Sequence, residues 1–270
     1  MKQRYKKLFK RLSASNEGAL VPFIIIGDPS IEVSLKIIDT LINGGADALE
    51  LGIPFSDPLA DGPTIQKATV RAFNAGITVE RCFEILRLVR KKYTQLPIGL
   101  LTYANLVFSH GINNFYNRCS YIDIDSVLVA DVPIEYSMSF RESAIKNLIS
   151  PVFICPPNAH EELIKQIASF NQDYTYLLSR PGVTGIENSC VQLLPHLIKK
   201  LRIYNSPPIL QGFGISKPTE VKSIISSGVD GVILGSAIIS IIEQFMGDGI
   251  DQMLINLLNF LNQIKAATKK

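Results

Sequence analysis

The chain reads as an α/β protein of the (β/α)8 TIM-barrel class, one domain over residues 1–270 with an extra helix at its N-terminus. Three observations predict this. Short apolar runs alternate with longer stretches of helical period eight times in 270 residues, and about 250 residues is usual for such a barrel. The apolar runs are continuous rather than alternating with polar residues, the pattern of strands covered on both faces of a parallel sheet. No Ser/Gly-rich or Pro-rich linker and no long charge run divides the chain, and 47% hydrophobic residues can fill one large core. The competing architecture, an open doubly wound sheet, calls for a glycine-rich dinucleotide turn after the first strand. Gly27-Asp28-Pro29-Ser30 is not one.

Taken in order, the elements begin with a basic cluster, Met1 to Leu12, read as an amphipathic helix that packs Leu8, Phe9 and Leu12 on the domain. A targeting or membrane-surface segment is the rival, but no apolar stretch follows it, since Ser13 to Gly18 is polar. The strand runs are Leu20–Ile26, Ala48–Leu51, Pro97–Leu101, Ser126–Val129, Val152–Cys155, Tyr174–Leu178, Ile209–Gln211 and Gly231–Leu234. Helical patterns cover Glu32–Ile42, Val79–Lys92, Glu135–Leu148, Glu161–Phe170, Cys190–Leu201 and Thr219–Ser226, and a last one near Ile250–Ile264 closes the chain. Right-handed crossovers are the usual link between parallel strands.

Composition removes several function classes. The net charge of +3 is small and the Lys and Arg residues are scattered, so nucleic-acid binding has no electrostatic footprint. No apolar run approaches the roughly 18 residues needed to span a bilayer, and a cytoplasmic, membrane-free protein is expected. Cys82, Cys119, Cys155 and Cys190 lie 35 to 37 residues apart, matching neither a disulfide framework nor a zinc site. His110, His160 and His196 are equally dispersed, and no metal site is expected.

In a barrel of this kind the active site is built from the loops after the strands. After strand two lies the most informative stretch of the chain, Asp47 to Gln66. It sets Glu50 among Ala48, Leu49, Leu51 and Ile53, then runs through a Pro/Gly-rich loop carrying Asp57 and Asp61. An acid among apolar neighbours is costly to ionise and its pKa tends to rise. An acid in an open, polar loop is expected to stay charged. Two carboxylates in contrasting environments are a means of running acid and base chemistry near neutral pH.

A second signal lies at the last three strand ends, Ser179–Gly185, Gln211–Ser216 and Gly235-Ser236-Ala237. Their glycines would let the N–H groups of Gly185, Gly214, Gly235 and Ser236 converge at the start of a helix, an anion site that needs no Lys or Arg. The bland alternative is tight βα turns alone. The long Arg180–Gly185 loop suits a lid. No Lys falls near a strand end, which leaves Schiff-base chemistry without a nucleophile. Carboxylates, with a Tyr hydroxyl as helper, are left to act on a small phosphorylated substrate.

The motifs Glu50-Leu-Gly-Ile-Pro-Phe-Ser-Asp-Pro-Leu-Ala-Asp-Gly-Pro-Thr-Ile-Gln66, Tyr103-Ala-Asn-Leu-Val-Phe108, Asp131-Val-Pro133, Phe153-Ile-Cys-Pro-Pro-Asn158, Tyr176-Leu-Leu-Ser-Arg180, Gly182-Val-Thr-Gly185, Gln211-Gly-Phe-Gly-Ile-Ser216 and Gly235-Ser-Ala237 resemble, in order and over nearly the whole chain, those of the tryptophan synthase alpha subunit family. The resemblance implies retro-aldol cleavage of indole-3-glycerol phosphate to indole and glyceraldehyde 3-phosphate. By position, Glu50 would protonate indole C3 and then take the glycerol hydroxyl proton, and Asp61 would hold the ring N–H and stabilise the cation. Tyr176 would stand beside them, and Phe23, Leu101 and Leu128 would pack the ring. Gly185, Phe213, Gly214, Gly235 and Ser236 would cradle the phosphate. Thr184 would bond Asp61 as the lid closes, with Arg180 part of that lid.

The resemblance also implies an α2β2 tetramer with a beta subunit that holds pyridoxal phosphate, none being expected in this chain. Pro54, Asp57, Asn105 and Pro133 would face that partner. Ile25, Thr102 and Pro181 depart from the family pattern; the last bears on the lid, because Pro stiffens its surroundings. Rival functions are a phosphosugar isomerase of the same fold, a free-standing indole-producing lyase, and a binding subunit that activates a partner.

Overall fold

The computed structural model describes residues 3–180, 182 and 193–270. Nine parallel strands form one sheet: β1 (Ala19–Ile25), β2 (Leu49–Gly52), β3 (Ile98–Thr102), β4 (Ser126–Val129), β5 (Ser150–Val152), β6 (Ile154–Cys155), β7 (Thr175–Leu178), β8 (Ile209–Gly212) and β9 (Gly231–Leu234). Their order is β5-β4-β3-β2-β1-β9-β8-β7-β6. Because β5 and β6 are two pieces of one stretch of chain, this is a nearly closed eight-position barrel.

The run expected as one strand over Val152–Cys155 is interrupted at Phe153, for a local reason. The side chain of Asn171 takes over its backbone groups: Phe153 N–H donates to Asn171 Oδ1 at 2.6 Å, and Asn171 Nδ2 donates to Phe153 O at 3.3 Å. β5 is thus left to pair with β4, and β6 with β7.

Twelve α-helices complete the described residues: α1 (Arg4–Ala14), α2 (Ile31–Asn43), α3 (Pro63–Asn74), α4 (Val79–Lys92), α5 (Ala104–Ser109), α6 (Ile112–Tyr121), α7 (Met138–Lys146), α8 (Glu161–Phe170), α9 (Pro195–Ile203), α10 (Pro218–Ser226), α11 (Ser236–Phe245) and α12 (Ile250–Ala267). The helix expected over Glu135–Leu148 is broken into a 3-10 turn, Ile134–Tyr136, and α7. Ser137 lies at the join, and its hydroxyl donates to Ile134 O at 2.6 Å, the local competition that ends helical turns. The start expected for the Cys190–Leu201 helix lies outside the described residues. None of the described helices is long and apolar enough to cross a membrane.

Every residue of β1, β2, β7, β8 and β9 is buried, as both-face coverage requires. Side chains alternate across a strand, so Glu50 of β2, Gly99 of β3 and Ser126 of β4, which stand in register, share one interior layer.

The N-terminal helix seals the bottom of this interior. On its inner face Tyr5, Leu8 and Leu12 are buried, and Phe9 partly so. The Tyr5 hydroxyl lies 3.2 Å from Ser126 Oγ, and its ring packs on Tyr174 at 5.3 Å. Gly99 makes room for this pair, since a Cβ there would come within 2.8 Å of Ser126 Oγ and 3.2 Å of the Tyr5 hydroxyl. Arg4 Nη1 and Arg90 Nη2 meet the buried Asp125 at 2.8 and 2.6 Å and hold α1 in place.

Candidate active site

The C-terminal ends of the strands open on a largely apolar cavity. Ten residues expected at the site from the sequence line it: Phe23, Glu50, Asp61, Leu101, Leu128, Tyr176, Phe213, Gly214, Gly235 and Ser236. Ala60, Ile65, Ala130, Ile154, Ile215 and Ile233 line it as well and were not foreseen. Ala130, Ile154, Ile215 and Ile233 lie in or near strands, and Ala60 and Ile65 come from the loop after β2 and the first turn of α3, but an aliphatic side chain at any of these places looks like a core residue. Thr184, Gly185 and Pro181 lie outside the described residues, while Arg180 is half-buried just beyond β7.

Glu50 sits in β2, 1% exposed. Tyr174 donates to its Oε1 at 3.2 Å, while Oε2 has no partner among the described residues. Burial pushes its pKa up to about 8, partly opposed by the Tyr174 hydrogen bond. A group so placed holds its proton at neutral pH.

Asp61 departs from expectation. It is not in an open, polar setting but is 6% exposed, and burial raises its pKa to about 6. The loop folds inward on itself: Asp61 N–H donates to Pro58 O at 3.0 Å, and Gln66 Nε2 reaches back from α3 to Asp61 O at 2.7 Å. Tyr103, buried and stacked on Phe55 at 5.2 Å, closes over it from the end of β3. The Tyr103 hydroxyl is near enough to hold the carboxyl below where burial alone would put it, although the pair falls short of full hydrogen-bond geometry. Asp61 is therefore mostly charged at pH 7 even though it is buried, and the contrast with Glu50 is one of degree. Tyr176 is buried near both carboxylates, whose charges raise its pKa further above that set by burial.

The other end of the cavity is built from backbone. Phe213 and Gly214 follow β8 with φ of +74° and +73°, and Gly235 precedes the first residue of α11. The first-turn N–H groups of a helix have no intrahelical partners and carry partial positive charge. Close packing explains two glycines here. A Cβ at Gly235 would come within 2.9 Å of the Phe23 ring, and one at Gly212 within 2.3 Å of the Tyr176 hydroxyl.

Of the four residues expected to face a partner, Asp57, Asn105 and Pro133 are exposed. Pro54 is not: it is buried. Asn105 stands on α5, whose first N–H, that of Ala104, is taken by Asp131 Oδ1 at 2.7 Å. Exposed Leu59, Phe108 and Tyr136 (77%, 56% and 78%) stand in the same three segments that follow β2, β3 and β4, a signal that sequence pattern alone did not isolate.

A buried carboxylic acid lining a cavity at the C-terminal ends of a parallel barrel puts the chain among the (β/α)8-barrel enzymes. The family profile described as tryptophan synthase alpha chain matches residues 9–269. A tryptophan synthase alpha chain of Escherichia coli O17:K52:H18 is 59% identical over 267 residues, 99% of each chain. One of Cronobacter sakazakii is 59% identical over 266 residues, 98% of each. Among solved structures, tryptophan synthase subunit alpha from Legionella pneumophila str. Paris superposes with a TM-score of 0.87 at 28% identity, covering 98% of both chains. The chain belongs to the tryptophan synthase alpha chain family.

Proposed function

We propose that the chain, as a single (β/α)8 domain, carries out the lyase reaction of its family through Glu50 and Asp61. That reaction is the cleavage of indole-3-glycerol phosphate to indole and glyceraldehyde 3-phosphate. The observation that carries the assignment is the burial of Glu50, with its pKa raised to about 8, at the floor of an apolar cavity. A neutral acid is what protonation of a ring carbon requires.

Glu50 gives its proton to indole C3, and the ring becomes a cation. Asp61, charged above about pH 6, accepts the ring N–H and stabilises that cation. Glu50, now a carboxylate, takes the proton of the hydroxyl on the adjacent glycerol carbon. The C3 to carbon bond breaks, its electron pair restores the indole, and the aldehyde leaves. Phe23, Leu101 and Leu128 hold the ring. The N–H groups of Gly214, Gly235 and Ser236 hold the phosphate, with Gly185 joining them. Arg180 and Thr184 are assigned to substrate binding as well.

The partner in this reading is a tryptophan synthase beta subunit, in a cytoplasmic α2β2 assembly, which receives the indole and holds pyridoxal phosphate. Asp57, Asn105 and Pro133 stand on the face offered to it, and the exposed apolar Leu59, Phe108 and Tyr136 support that choice. Mixing the purified chain with indole-3-glycerol phosphate, with and without partner, tests the function by release of indole. Glu50→Gln and Asp61→Asn should each lose nearly all turnover. Near-native turnover in Glu50→Gln overturns the acid assignment, and a small effect of Asp61→Asn makes Asp61 a loop residue only.

A further inference from the structure

Ser179 follows directly on β7, and the reaction as described leaves it without a task. It is fully buried. Its hydroxyl donates to the carbonyl oxygen of Phe213, and its backbone N–H donates to Gly212 O at 3.2 Å. One residue thus grips two consecutive carbonyls at the end of β8. The turn it grips is left-handed at both Phe213 and Gly214. Glycine adopts that conformation freely and phenylalanine does not, so the surroundings must hold Phe213 there.

A peptide unit is planar and trans, so its C=O and the N–H of the next residue point in opposite directions. Holding Phe213 O against Ser179 therefore turns the Gly214 N–H away from Ser179. Gly214 lines the cavity beside Gly235 and Ser236, where α11 begins. We propose that Ser179 is a positioning residue for the phosphate cradle: its hydroxyl sets the Phe213–Gly214 peptide so that the Gly214 N–H faces the substrate phosphate. This rests on the reading that Gly214, Gly235 and Ser236 hold that phosphate. Ser179 has no part in proton transfer at Glu50.

The test is Ser179→Ala in the full chain. KM for indole-3-glycerol phosphate should rise about tenfold, the worth of one lost hydrogen bond, and competitive inhibition by inorganic phosphate should weaken by the same factor. The value of kcat and its pH dependence should stay within about twofold, the signature of lost uniform binding. A purely structural role would lower the melting temperature without moving phosphate inhibition. Ser179→Cys, nearly isosteric and a weak donor, should be intermediate and serves if the alanine variant does not fold. The proposal is overturned if inorganic phosphate competes in the native chain and competes equally well in a folded Ser179 variant. If it does not compete in the native chain, the cradle reading fails first and this proposal with it.

Discussion

Tyr174 donates its phenolic proton to Glu50 Oε1 at 3.2 Å, inside a barrel that buries both side chains. One carboxyl oxygen is thereby fixed and the other, Oε2, is left without a partner among the described residues. The proposed role of Glu50, to deliver and then retrieve a proton, is served by this asymmetry, with one oxygen for orientation and one for the reaction.

The pH profile follows from the two carboxyls. In the proposed reaction Glu50 begins protonated, so kcat/KM should fall as pH rises past about 8, and Asp61 is charged, so it should fall as pH drops below about 6. A bell with its top between these limbs is expected for the free enzyme. Tyr174→Phe removes the bond that opposes burial and should move the alkaline limb upward. Steady-state kinetics from about pH 5 to about pH 9 decide this, and a flat profile would sink both assignments.

Glu50 also makes stability depend on pH. Its folded pKa of about 8 lies above the ordinary 4.5, so the folded chain holds the proton more tightly than the unfolded one. The stability this brings is complete below about 4.5 and is lost as pH rises through about 8. Glu50→Gln has no proton to lose. On the alkaline side of the window it should be more stable than the native chain, by about 1.4 kcal/mol for each unit by which the folded pKa exceeds the ordinary one, and the gap should vanish on the acid side. Urea melts at the two ends check it.

Asp47 should matter to stability and not to chemistry. Its buried carboxylate receives Arg11 of α1 and Lys265 of α12 at 2.7 Å each, and the Leu20 N–H at 2.9 Å, so it clasps both terminal helices to the start of β1. Asp47→Ala leaves the Leu20 N–H unsatisfied and should cost about 1–3 kcal/mol. Thermal melting should register the loss while kcat per folded molecule stays native.

Thr102 should move stability the other way. Its hydroxyl is buried with no partner among the described residues. Thr102→Val removes an unpaired polar group at nearly constant shape and should stabilise by about 1 kcal/mol. A destabilised Thr102→Val chain would reveal a partner for the hydroxyl in solution.

Much of the barrel was legible because strands and helices announce themselves by local period. Ser126–Val129, Gly231–Leu234, Val79–Lys92 and Glu161–Phe170 are observed at the bounds that their patterns predicted. The break at Phe153 was not legible, since it depends on an asparagine from the far side of α8. Nor was the burial of Pro54.

Glu50 and Asp61 divide along the same line. The environment of Glu50 is written beside it, because the apolar residues that flank it in β2 are its neighbours in the chain and in space. The environment of Asp61 is not, because a polar loop becomes buried only when something closes over it, and Tyr103 comes from another strand. The left-handed turn at Phe213 is of the same kind: no local preference places a phenylalanine there, and Ser179, brought alongside by the pairing of β7 with β8, holds it. Periodicity and residue type determined the barrel and named its acids. Which acid is buried, how deeply, and what holds each in place were decided by contacts between residues far apart in the chain, where desolvation and hydrogen bonding act and sequence period says nothing.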